Sequence, residues 1–179
     1  MTIQRLTRSS RPRYVQVWLD EWPESQYEAT SVLQQWHEVT GERPVAMRRL
    51  AVEWRTPSCG PSSYGLLGAE YVPDPAEKRL LIEVALSADE PYCWREPQGP
   101  TTRRGLTMEY SKGVLDGLTG DEGLLALGPG RVGISCGAYD VVGSSYMVFR
   151  WLTHAILRLL LLNRADVSED ELQRLLDFE

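Results

Sequence analysis

The sequence predicts an α+β fold, and three observations carry that expectation. From Val45 onward, three strand-like runs are followed in turn by a helical segment, a strand and a long helix. Both helical segments open at residues suited to capping, Thr107 for the first and Ser144 or Ser145 for the second. The chain has 179 residues and 20.3 kDa, and is 42% hydrophobic and 25% charged, which suits one soluble domain with an ordinary core.

The elements follow in order. Residues 1–13 hold Arg5, Arg8, Arg11 and Arg13 with no acid before Asp20, so a solvated basic arm is expected. Tyr14 to Leu19 (YVQVWL) is β-branched and aromatic and reads as a strand. Pro23 then opens a predicted helix ending near Thr40, with Gly41 as its cap. Tyr27, Leu33, Trp36 and Val39 would form its inward face. Val45 to Thr56, Tyr64 to Val72 and Arg79 to Leu86 read as strands, the last two joined by Pro73-Asp74-Pro75 as a hairpin. Ser87 to Arg104, with Pro91, Pro97, Gly99 and Pro100, has no period and is expected to be a loop.

Leu106 to Leu118 is the first helix of the core, with Tyr110, Val114 and Leu118 on one face. Arg131 to Cys136 is a strand and GAYDVVG a loop before the longest helix, which ends at about Asn163. Arg150, His154 and Arg158, spaced i, i+4, i+8, form one polar stripe along that helix, and the other side is apolar. Ser168 and Glu171 form a capping-box pattern for a short final helix carrying Leu172, Leu175 and Leu176. The organisation expected is a basic arm with a strand-helix extension over 1–43 and a core over 44–163. A C-terminal helix over 164–179 belongs to the same domain. Both core helices should cover one face of a mixed sheet, with Tyr110, Val114, Ile134, Met147, Phe149, Leu152 and Ile156 sharing one core.

The segment GAYDVVGSSYMVF (137–149) resembles the signature of domain IV of translation elongation factor G. Gly137, Tyr139, Val142, Ser144, Ser145, Met147 and Phe149 stand in matching register. Upstream, EYSKGVLDGL is similar to that family's helix at Tyr110, Val114, Gly117 and Leu118. The resemblance covers about residues 45–162. It implies a ribosomal protein S five domain two-like fold of three strands, a helix, a strand and a helix. It also implies that the loop before the long helix is a tip facing the ribosomal decoding site. Three departures bear on function. No G-x-x-x-x-G-K-[ST] phosphate loop occurs anywhere. Asp140 stands at the family's tip histidine, where its negative charge would oppose RNA phosphates. Gly143 and Tyr146 replace the acids on either side of the paired serines.

Charge and cysteine usage narrow the function classes. Nineteen Lys and Arg against 25 Asp and Glu give a net charge of -6, which argues against a general nucleic-acid surface and for a basic partner. Cys59, Cys93 and Cys136 make neither a disulfide framework nor a metal set, so a reducing cytoplasm is expected. The basic start leads into no secretory core, and the apolar stretch 146–162 is interrupted by Arg150, His154 and Arg158, so no membrane association is expected. The reading that follows is a non-enzymatic binding module without cofactor or metal, an adapter or regulator with a protein partner. Its candidate contact residues are Tyr92 and Trp94 in the proline-rich loop, the Arg103–Arg104 pair, and Tyr139 and Asp140 at the tip. The alternative is ribosome or RNA binding through Arg103, Arg104 and the arginine-rich arm, since guanidinium forks suit phosphate; DNA is not expected. The more remote enzyme reading uses the VGSS turn at a helix N-terminus as a phosphate site. No residue has a context that marks it as catalytic, and His154 reads as a satisfied surface histidine.

Overall fold

In a computed structural model the strands are β1 (Thr2–Thr7), β2 (Tyr14–Leu19), β3 (Ser31–Glu38), β4 (Arg48–Arg55), β5 (Tyr64–Pro73), β6 (Arg79–Leu86), β7 (Glu90–Pro91), β8 (Thr102–Arg104) and β9 (Gly130–Asp140). The helices are α1 (Met108–Thr119), α2 (Tyr146–Leu161) and α3 (Glu169–Leu175), with a 3-10 turn over Glu122–Ala126. The structure describes residues 2–7, 14–40, 46–56, 63–87, 90–91, 101–162 and 167–175, and of 2–7 and 90–91 the backbone alone. The protein is α+β, with a sheet whose main path runs β1-β2-β4-β5-β9-β6-β3. Every pairing on that path is antiparallel except β6 with β9, which is parallel and bridged by α1.

Both core helices lie on one face. Val17, Leu50, Val52, Leu67, Ile82 and Ile134 of the sheet share a core with Val114 and Leu118 of α1 and with Phe149, Leu152 and Ile156 of α2. Each such fully buried aliphatic or aromatic side chain contributes about 1.5–3 kcal/mol by leaving water. Thr107 caps α1 through the Tyr110 amide, and Ser145, not Ser144, caps α2 through the Val148 amide. Gly113 and Gly117 let the helices meet closely. A Cβ on Gly113 would stand 2.6 Å from the Tyr146 carbonyl oxygen, and one on Gly117 would stand 3.0 Å from that of Arg150.

One extra residue in β9 decides which side chains reach the core. Gly68 pairs with Cys136 but the next residue, Ala69, pairs with Ile134, so Ser135 is a bulge. Val132 and Ile134 before it, and Tyr139 after it, join the helix-side core, whereas Cys136 and Ala138 join a smaller cluster with Trp18, Ala51, Tyr64 and Leu66. That second cluster lies on the opposite face, where Trp22 packs against it and donates from Nε1 to the Ala69 carbonyl at 3.3 Å. The rest of this face carries a polar ladder. Arg49 pairs with Glu70, Arg131 joins Glu70 to Glu83, and Gln34 donates to Glu83 at 2.7 Å.

Several expectations are corrected. The predicted helix over 23–40 is instead an irregular segment followed by β3, which pairs with β6 in unbroken register from Ser31–Leu86 to Glu38–Arg79. Leu33 and Trp36 satisfied a helical spacing, but a free sheet edge beside β6 overrides so weak a local signal. Residues 20–30 cross the sheet, touching β5 through Trp22, β9 through Ser25 and Gln26, and β6 through Thr30. The expected hairpin of β5 and β6 does not form, because β9 inserts between them and pairs with both. The arm is not free throughout, since Thr2–Thr7 pairs with β2. Gly137 to Asp140 extends β9 and leaves only a short turn before α2. Met147 stands outside the core at 43% exposure, while Tyr110, Val114, Ile134, Phe149, Leu152 and Ile156 share it as expected.

Candidate functional site

Four of the six expected contact residues come together at the end of the sheet where β9 enters α2. The predicted loop over 87–104 closes with β8, whose Thr102, Arg103 and Arg104 pair with Asp140, Tyr139 and Ala138 of β9. Tyr92 and Trp94 lie outside the described residues. Arg103 and Arg104 are both half-buried. Arg104 donates to the Gln26 carbonyl at 3.4 Å and helps line a shallow depression with Gln26, Tyr27 and Glu28.

Tyr139 is not available for contact as expected. It is buried at 5% exposure, with its ring 5.1 Å from that of Tyr110, which in turn stacks on Phe149 at 4.8 Å. The bulge at Ser135 turns this side chain inward, and no feature of the local pattern marks that residue as extra.

Asp140 organises the turn. Its Oδ1 accepts from the amides of Val142 at 2.9 Å and Gly143 at 2.8 Å, and its Oδ2 accepts from the Thr101 hydroxyl at 2.5 Å. Burial opposes ionisation, but the Thr101 hydroxyl, the two amides and the nearby Arg103 charge outweigh it and hold the carboxyl below its ordinary range. Ser144 ties the other strand: its hydroxyl donates to the Tyr64 carbonyl at 2.6 Å and accepts from the Asp140 amide at 2.8 Å. The Tyr64 amide donates to the Gly143 carbonyl at 3.0 Å, and the Val141 amide to the Thr101 carbonyl at 3.1 Å. The turn therefore holds Val141 and Val142 out to solvent at 57% and 81% exposure. The amides of Val142 and Gly143 that a phosphate would use in the VGSS reading already serve the Asp140 carboxylate.

A second polar contact joins residues that no short motif connects. His154 of α2 lies 2.8 Å through Nδ1 from Oδ2 of Asp121, whose Oδ1 accepts from the Gly123 amide and caps the 3-10 turn. Burial opposes ionisation of Asp121, but the hydrogen bonds from His154 and Gly123, with the charges of His154 and Arg158, hold its carboxyl low. The partner of His154 comes from the segment after α1 and not from a neighbouring turn of α2. Cys136 is fully buried, 3.0 Å from the Ser25 hydroxyl, and burial pushes its thiol up to about 12.

No described cluster of three His, Cys, Asp or Glu residues is arranged to hold a metal ion. No helix among the described residues is long and apolar enough to cross a membrane. No protein-family model, curated protein or solved structure matches the chain.

Proposed function

We propose that this chain is a protein-binding module, an adapter or regulator built on a scaffold like domain IV of elongation factor G. The order β4-β5-β6-α1-β9-α2, with both helices on one sheet face, supports the ribosomal protein S five domain two-like reading of that scaffold. The observation that carries the functional reading is the presentation of Val141 and Val142. Adjacent branched apolar side chains stand exposed on a turn whose amides, hydroxyl and carboxylate are all committed to holding it. A fixed apolar tip loses little freedom on docking and gains from leaving water, which suits a protein partner. The net charge of -6 favours a basic one.

The test is affinity capture from the protein's own cells at low and moderate salt, using the tagged chain and its Val141→Ser/Val142→Ser variant. Recovered proteins are identified by mass spectrometry and RNA is quantified. A stoichiometric protein captured by the parent and lost by the variant supports the proposal. Ribosomal subunits or RNA shed by salt, and recovered equally by both chains, overturn it in favour of RNA binding.

A further inference from the structure

β3 is the last strand of the sheet path, and no described strand pairs with its outer edge. Exposed edges in monomeric proteins are usually blunted by lysine, proline, a bulge or brevity. β3 has eight residues, Ser-Val-Leu-Gln-Gln-Trp-His-Glu, and its register with β6 is continuous. No charge occurs before Glu38 at its end. Its face opposite the helices presents Val32 and Trp36, each 45% exposed, on either side of Gln34.

We propose that this edge pairs with the same edge of a second copy, antiparallel across a two-fold axis at Gln34. An antiparallel pair that continues the sheet must place opposite one another residues that face the same side. With Gln34 on the axis, Val32 lies opposite Trp36 of the second copy and Trp36 opposite its Val32. The two exposed apolar residues thus cover one another in aromatic–β-branched pairs, a favoured cross-strand combination. Glu38 falls opposite Thr30, so no like charges meet. On the helix side His37 falls opposite the Ser31 hydroxyl, and the buried Nε2 of His37 has no hydrogen-bond partner among the described residues. Moving the axis to Gln35 would set Val32 against Glu38, and moving it to Leu33 would set Val32 against Gln34. Of these three registers only the Gln34 one sets the two exposed apolar residues against each other, while on the helix side it places Leu33 opposite Gln35. A single strand pair buries little area, so the dimer is a reversible one in the micromolar range.

Sedimentation equilibrium over a concentration series tests the pairing. The wild-type chain should pass from monomer to dimer as concentration rises. Gln34→Lys keeps a partner for Glu83 within its own chain but sets two lysines face to face on the axis, so dimerisation should weaken at least about tenfold with the melting temperature unchanged. Under mild oxidation Gln34→Cys should form a disulfide-linked dimer, and Gln35→Cys should not, measured against the wild-type chain with its native cysteines. A wild-type chain that stays monomeric at hundreds of micromolar overturns the proposal. So does a Gln34→Lys variant that dimerises like the parent, or cross-linking through Gln35 in place of Gln34.

Discussion

His154 and Asp121 meet at 2.8 Å, and the contact locks the 3-10 turn after α1 against the flank of α2. Asp121 serves twice, accepting from the imidazole with one oxygen and from the Gly123 amide with the other. Because its carboxyl is held below the ordinary range, its contribution to stability is present above the unfolded value of about 4. It is lost as pH falls through the folded value.

Asp121→Asn should therefore destabilise the protein by about 1–2 kcal/mol at neutral pH, the range for losing a charged cap. The difference from the parent should shrink as pH is lowered below about 4. Urea denaturation at stepped pH measures both, and a deficit that is constant with pH would contradict the ionised contact.

Asp140→Ala removes the acceptor of two turn amides and the Thr101 hydroxyl. The expected loss is about 1–3 kcal/mol, with faster hydrogen exchange at the Val142 and Gly143 amides and little change in α1. The same acid sign applies, since this carboxyl is also held low: its contribution fades as pH falls below about 4.

Gly113→Ala gains helix propensity of about 1 kcal/mol but drives a Cβ to 2.6 Å from the Tyr146 carbonyl oxygen, which is backbone and cannot rotate away. A net destabilisation of about 1–3 kcal/mol is expected, the range for overpacking. Gly117→Ala, at 3.0 Å from its nearest neighbours, should cost less. Thermal melts of the two variants rank them, and the opposite order would show that the helices separate easily near Gly113.

Cys136 should resist alkylation in the folded protein, being fully buried with its thiol pushed up to about 12. Peptide mass mapping after iodoacetamide treatment should find it modified only once denaturant is added. Labelling in native buffer would mean that the second core cluster opens locally.

Much of the core was legible along the chain. Tyr14–Leu19 carried a local β pattern, Thr107 and Ser145 sat before apolar periods of 3.6, and Ser168 preceded Glu171, whose amide it accepts from at 3.3 Å. Of the candidate contact residues, Arg103, Arg104 and Asp140 were named from the sequence, but that β8 and β9 bring them side by side was not legible in it. The inward turn of Tyr139 and the outward turn of Met147 were not legible either.

The sequence alone determined which segments could be strand or helix where burial on one face imposed a period, because that signal is local. Tertiary structure decided the rest. It made 31–38 an edge strand, inserted β9 between β5 and β6, and displaced the β9 register by one residue at Ser135. It also brought Asp121 to His154 across 33 residues of chain. Each of these is a competition among non-local pairings. A strand's neighbours, and the face its side chains take after a bulge, are settled by the hydrogen bonds and packing of the whole sheet.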